Sequence, residues 1–192
     1  MQDQKINIRF AVVTGMILVA ALFRIFPHPL NFSPVAAMGL FGAAYFSKRW
    51  LAFLVPVLAV FASDIIINNV IYAHYFEGFT VFYEGFFWQY GSYLLIVLFG
   101  LGVLSKVTLP RILGGAIGAG AIFFLVSNFG VWLGSPMYPQ SIGGLMACYG
   151  AGWPFYQATF AGDLIFTGVM FGAYEFIKLR YPALDFQTQR IA

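Results

Sequence analysis

The chain has 192 residues, of which 61% are hydrophobic and 9% are charged. Soluble domains carry ~25% charged residues, so this composition excludes an ordinary soluble domain and indicates a helical membrane protein. We interpret the net charge of +3 as the orientation signal of a membrane protein, not as a nucleic-acid-binding surface. The single cysteine, Cys148, excludes an internal disulfide and a multi-cysteine metal motif.

Apolar segments along the chain predict an all-α integral membrane protein, a compact bundle of six transmembrane helices in one domain over residues 1–192. The predicted helices are Ile8–Phe26, Ser33–Ser47, Trp50–Ile71, Phe86–Ser105, Arg111–Trp132 and Pro154–Leu179. Because no A-x-A cleavage pattern follows the first segment, we interpret it as an uncleaved helix and not as a signal peptide.

A proline-rich turn separates the first two predicted helices. Pro27, Pro29 and Pro34 cannot lie inside a helix without loss of backbone hydrogen bonds, so they end one helix and begin the next. We expect Ser33 to cap the second helix and Pro34 to be its first residue. This helix would be about 22 Å long, whereas a bilayer core is ~30 Å thick. The turn is therefore expected to re-enter the membrane beside a cavity.

The basic residues predict the orientation. With both termini in the cytoplasm, nine of the ten Lys and Arg residues lie on the cytoplasmic side of the cell (inner or plasma) membrane. Only Arg24 lies on the other side. The nine are Lys5, Arg9, Lys48, Arg49, Lys106, Arg111, Lys178, Arg180 and Arg190.

Two long connections then lie outside. The connection Tyr72–Phe86 belongs to a stretch, Tyr72–Tyr90, with ten aromatic residues among nineteen, which is typical either of an interfacial belt with the start of the fourth helix or of a cap over a ligand pocket. The segment Leu133–Trp153 is rich in glycine and uncharged, and we interpret it as a loop and a candidate lid.

Polar residues of five predicted helices fall at one depth. Arg24, Ser33, Asp64 and Asp163 each lie 15 residues from a cytoplasmic basic residue, which corresponds to about 22 Å, and Asn128 lies at about 26 Å. Asn68 and Trp132 follow Asp64 and Asn128 by four residues and share their helix faces. Ionised groups at such depth are costly, so this layer either lines a pocket or holds the bundle together.

Enzyme motifs are absent from the sequence. His28 and His74 lack metal-ligand spacing, and neither H-E-x-x-H nor G-x-S-x-G occurs. We therefore expect no catalytic residue, metal or cofactor. Cys148 is interpreted as a loop residue, with a soft metal ligand or a nucleophile as the alternative. The predicted ligand-binding residues are Arg24, His28, Asn31, Asp64, Asn68, Asn128, Trp132 and Asp163.

Several of these residues lie in strings that resemble a bacterial family of small membrane proteins of unassigned function. The strings are Phe26–Met38, Ser63-Asp64, Ser127–Trp132, Tyr138-Pro139 and parts of Cys148–Asp163. More remotely, the six-helix plan resembles the substrate-binding S components of energy-coupling factor (ECF) vitamin transporters.

The S-component resemblance implies an outer-half pocket closed by the first, third and fifth loops. It also implies that small residues on the first helix dock a coupling subunit, and Ala11 and Gly15 match that face, with Gly where those proteins often carry Ala. No substrate motif matches. The chain has no ATP-binding motif, so ECF-type coupling and ATPase partners would supply the energy.

These observations predict a membrane-embedded binding subunit for uptake of a small, vitamin- or cofactor-precursor-like molecule. A neutral or cationic ligand is favoured, with Asp64 and Asn68 facing it and Asp163 paired with Arg24. The alternative is a scaffold or assembly factor whose polar layer is structural. An integral-membrane enzyme is the third candidate.

Overall fold

The computed structural model describes residues 2–181 and Leu184, with side chains from Ile8 onward. Within these residues the chain is all-helical, which confirms the predicted all-α fold of six helices. The helices are α1 (Gln2–Phe23), α2 (Val35–Tyr45), α3 (Arg49–Ile66), α4 (Phe86–Val103), α5 (Leu109–Gly134) and α6 (Ile142–Arg180). The predicted domain includes residues 1, 182, 183 and 185–192, which lie outside the described residues.

Helix α2 lies at the centre of the bundle and contacts each of the other five helices. Its 11 residues correspond to about 16 Å, so it is too short to cross a bilayer core, as predicted. Small residues allow this close packing. A Cβ on Gly42 would lie 3.0 Å from Pro56 of α3, and one on Gly39 would lie 3.3 Å from Val97 of α4.

The predicted N-cap of α2 is wrong. Pro34 occupies the N-cap position, and no side chain caps the helix. Since Pro34 fixes its own backbone conformation, the helix begins one residue later than the pattern indicates. The Ser33 hydroxyl is left buried without a hydrogen-bond partner.

The helices alternate in direction and define two ends of the bundle. The connections α1–α2, α3–α4 and α5–α6 lie at one end, which we call the proline-turn end because it contains residues 24–34. The connections α2–α3 and α4–α5, together with the last turn of α6, lie at the other, which we call the terminal end.

Four helical stretches of the described chain are long and apolar enough to cross a membrane. They are Arg49–Ile71, Phe86–Val103, Leu109–Gly134 and Ile142–Arg180. The stretches Ile8–Phe23 and Val35–Tyr45 are apolar but shorter. The length and composition of the four long stretches indicate a membrane protein.

Helix α3 changes its winding at its end. It continues as a π-helix over Ile67–Ile71, with Tyr72 N donating to Ile67 O at 2.8 Å. π-helical turns occur often at functional sites. The Asn69 amide donates to Thr80 O at 2.8 Å and accepts from Thr80 N at 2.6 Å, so the following loop is fastened to the helix.

The predicted loop over Leu133–Trp153 is wrong, because most of it is helix. Helix α6 begins at Ile142 and runs for 39 residues, with Pro154 inside it. Ser141 caps it by accepting from Gly144 N at 3.1 Å. A side chain at Gly144 would collide with Pro139, and one at Gly152 with Asn128. These glycines therefore allow close contact with the preceding loop and with α5, and they do not form a flexible lid.

Candidate functional site

A cavity of about 270 Å³ lies at the proline-turn end of the bundle. Its polar wall combines the turn after α1 with the interior faces of α4 and α6. Exposed Leu30 and Asn31 lie at its rim. The lining residues are Arg24, His28, Leu30, Asn31, Ser33, Val35, Ala36, Ile67, Tyr72, Gln89, Tyr93, Ile96, Phe123, Thr159 and Asp163.

Arg24 binds the end of α3. Its guanidinium Nη2 donates to Asp64 Oδ1 at 2.6 Å, and Nη1 donates to Val60 O at 3.1 Å and to the Ser63 hydroxyl. The Asp64 residue is only 4% exposed. The pair is therefore desolvated and bonded on both sides, as a buried ion pair requires.

The second oxygen of Asp64 is bonded to aromatic hydroxyls. Tyr90 Oη donates to Asp64 Oδ2 at 2.7 Å. The Tyr83 hydroxyl lies 3.3 Å from the same oxygen and 2.9 Å from Gln89 Oε1. Burial raises the pKa of the Tyr83 hydroxyl above its ordinary value, so the group stays protonated and donates. Arg24 and Asp64 thus form a neutral network that joins the turn after α1 to α3 and α4.

Asp163 lies apart from this network. It is 2% exposed, its Oδ2 has no hydrogen-bond partner, and no ion pair of the described residues includes it. A Cβ on Gly120 would lie 2.6 Å from Asp163 Oδ2, so the absence of a side chain on α5 makes room for the carboxyl group. Asp163 lines the cavity together with Thr159, one turn earlier on α6.

The predicted pairing of Arg24 with Asp163 is therefore wrong, and so is the assignment of Asp64 as the ligand-facing carboxylate. Residue spacing along a helix gives the position of a side chain along the helix axis, but it does not show which neighbouring helix that side chain contacts. The turn after α1 places Arg24 beside α3, whereas Asp163 lines the cavity from α6 with its Oδ2 against Gly120 of α5.

The other predicted site residues divide into two groups. His28 and Asn31 line the cavity, and Asn31 adopts a left-handed conformation (φ 62°) that Asn tolerates better than most residues. Asn68 shares the buried face of Asp64, as predicted, but does not line the cavity.

Asn128 and Trp132 lie outside the cavity lining. The Asn128 amide donates to Phe124 O at 2.8 Å and packs against Gly152. Trp132 Nε1 donates to Pro139 O at 2.9 Å. Both side chains hold α5 to α6 and the loop between them.

Eleven of the fifteen lining residues were not among the predicted ligand-binding set, and those with polar or aromatic side chains on α4, α5 and α6 are Gln89, Tyr93, Phe123 and Thr159. Gln89 carries a signal in the sequence, since it is a polar amide near the start of an apolar helix. Tyr93 and Phe123 have no such signal, because aromatic residues are frequent throughout the chain.

The predicted docking face on α1 does not contribute to the interior of the bundle. Ala11 is exposed, and a Cβ on Gly15 would have no atom within 4 Å. Larger side chains at both positions would therefore point away from the other helices.

The aromatic segment after α3 has features of both predicted alternatives, the interfacial belt and the cap over a pocket. Tyr72 lines the cavity and the Tyr83 hydroxyl bonds to the lining residue Gln89, whereas Tyr75, Phe79 and Phe82 are exposed.

Searches of curated proteins and of solved structures found no match for the chain. A family model, described as a family of unknown function (DUF6580), matches residues 4–184, which is nearly the whole chain. The cavity and the Arg24–Asp64 network lie entirely within this range. The resemblance to an uncharacterised family is thereby confirmed, and the chain belongs to the DUF6580 family.

Proposed function

We propose that the protein is a membrane-embedded binding subunit for uptake of a small molecule, of the vitamin- or cofactor-precursor kind. The ligand binds in the cavity at the proline-turn end, in the outer half of the bilayer. Ligand sites are concave, largely apolar and furnished with a few convergent polar groups. This cavity matches that description and lies beside a buried ion-pair network.

The observation that carries the proposal is the pair of unsatisfied polar atoms in the cavity residues. Ser33 Oγ and Asp163 Oδ2 are buried without hydrogen-bond partners, and both residues line the cavity. Buried polar groups in proteins are almost always bonded, so unsatisfied ones at a cavity favour a bound molecule that completes them.

Energy for uptake would come from partners. The resemblance to S components favours an ECF-type coupling subunit with ATPases, docked on the α1 face of Ala11 and Gly15. Ala11 is exposed on that face, and no atom lies within 4 Å of a Cβ built on Gly15. The proposed orientation places both termini on the cytoplasmic side of the cell membrane. The basic residues of the terminal end favour this orientation.

A scaffold or assembly factor is the second candidate. The observation that favours it is the completeness of the Arg24–Asp64 network, in which one oxygen of Asp64 accepts from Arg24 and the other from Tyr90. A network of this kind stabilises a bundle by itself. It does not account for the unpaired Asp163.

Native mass spectrometry of protein purified gently from its own membranes tests the proposal. Wild-type protein is expected to carry a small-molecule adduct. Thr159→Trp places an indole in the cavity and should remove the adduct, whereas Gln157→Trp adds the same group at an exposed position of α6 and should keep it. Folded wild-type protein that carries no adduct would favour the scaffold.

A further inference from the structure

We infer that Asp163 binds a positively charged nitrogen of the ligand, so that the cavity selects a small amine or amidine over neutral and anionic molecules. This inference rests on the proposed function and adds the chemical class of the ligand. It follows from the charges that face the cavity, the burial of Asp163 and the nature of the remaining walls.

The ionisable residues of the cavity wall leave one carboxyl group, that of Asp163, without a basic partner. Arg24 also lines the cavity, but its guanidinium is already paired with Asp64. His28 Nδ1 lies 2.9 Å from Pro29 O, within its own turn. Glu77 and Glu84 are exposed and do not line the cavity. A single cation beside Asp163 makes the site neutral.

Burial makes this pairing selective. An isolated carboxylate in a low-dielectric site is strongly disfavoured unless a cation or several donors accompany it. Asp163 is 2% exposed, and none of the described side chains supplies the second charge. Because Gly120 has no side chain, the carboxyl group of Asp163 fits against α5 without a steric clash.

The other walls define the body of the ligand. The rings of Tyr93 and Phe123 lie nearly parallel, with centroids 6.0 Å apart and planes at 6°, between α4 and α5. Val35, Ala36 and Ile96 add apolar surface. The volume of about 270 Å³ is just below the ~300–1,000 Å³ range of ligand pockets, so the ligand must be small. An ammonium on a compact apolar or aromatic body fits this site, and aromatic faces also attract cations.

The test compares three probes of one shape on purified protein freed of adduct: 2-phenylethylamine, 2-phenylethanol and 3-phenylpropionate. Binding is measured by calorimetry and by the shift in melting temperature. The amine is expected to bind about tenfold or more tighter than the alcohol, as a charge-assisted hydrogen bond contributes, and the acid least. Asp163→Asn should abolish this preference, and Glu84→Gln, the loss of an exposed acid at the same end, should retain it.

The outcomes separate the inference from the function on which it rests. Equal binding of the three probes by wild-type protein, or an amine preference that survives in Asp163→Asn, overturns the role of Asp163 and leaves a binding subunit. Native protein without any adduct overturns the proposed function itself. The wild-type comparison decides the inference even when Asp163→Asn does not fold.

Discussion

Arg24 and Asp64 lie 40 residues apart in the sequence, and the guanidinium Nη2 of Arg24 donates to Asp64 Oδ1 at 2.6 Å. Asp163 has the same predicted depth but no cationic partner among the described residues. The two carboxylates therefore have different surroundings, and their substitution should have different consequences.

Asp64→Asn should destabilise the protein. The substitution leaves the Arg24 guanidinium buried without a counter-charge, which costs roughly 3–5 kcal/mol. The melting temperature in detergent measures the effect. The double variant Arg24→Gln/Asp64→Asn should lose less than the sum of the single variants, because the two residues interact directly. Additive losses would contradict the ion pair.

Asp163→Asn should leave the stability of ligand-free protein unchanged or raise it. The substitution removes a buried carboxylate that has no partner, while the amide keeps nearly the same shape. The melting temperature is compared with that of Asp64→Asn in the same detergent. A larger loss for Asp163→Asn than for Asp64→Asn would show that Asp163 is the residue that stabilises the bundle.

Tyr90→Phe should reduce stability without changing the shape of the core. The variant loses the hydrogen bond of 2.7 Å to Asp64 Oδ2, and hydrogen bonds to charged groups contribute about 1.5–3 kcal/mol. Chemical or thermal unfolding measures the loss. Tyr75→Phe, at an exposed tyrosine of the same end, is the control and should behave as wild type.

Leucine at both Ala11 and Gly15 should leave folding and ligand binding intact but abolish uptake by cells. Ala11 is exposed and no atom lies within 4 Å of a Cβ on Gly15, so we expect the added bulk to obstruct a docked partner and not the packing of the bundle. Uptake of the radiolabelled ligand by cells is compared with binding of that ligand by the purified variant. Gly168→Leu, at an equally open position of α6, should retain uptake. Lost binding in the α1 variant would place the face inside the bundle.

The orientation can be measured with cysteines introduced into Cys148→Ala protein, since the Cys148 side chain is buried and labels poorly. With both termini in the cytoplasm, Glu77→Cys at the proline-turn end should react with an impermeant maleimide in intact cells. Ser47→Cys at the terminal end should react only after permeabilisation. Both positions are exposed. The opposite pattern would reverse the proposed orientation.

The all-helical fold was predictable from the sequence because long apolar segments and prolines mark where helices run and end. The predicted starts of α3 and α4 agree with the structure to within one residue. The shortness of α2 followed from the prolines before it and the basic residues after it.

The glycine-rich segment before Trp153 shows where local pattern failed. Glycine predicts a loop when only the backbone is considered. In the structure Gly144 and Gly152 are helical because Pro139 and Asn128 pack directly against them. The contact between Gly152 and Asn128 forms only when α5 lies alongside α6.

The sequence by itself determined that this is a helical membrane protein, since hydrophobicity is a property of each segment alone. Only the tertiary structure decided that Arg24 pairs with Asp64 and that Asp163 faces a cavity unpaired. The physical reason is that side-chain pairing depends on how neighbouring helices are rotated and ordered around α2, and packing between segments sets that order.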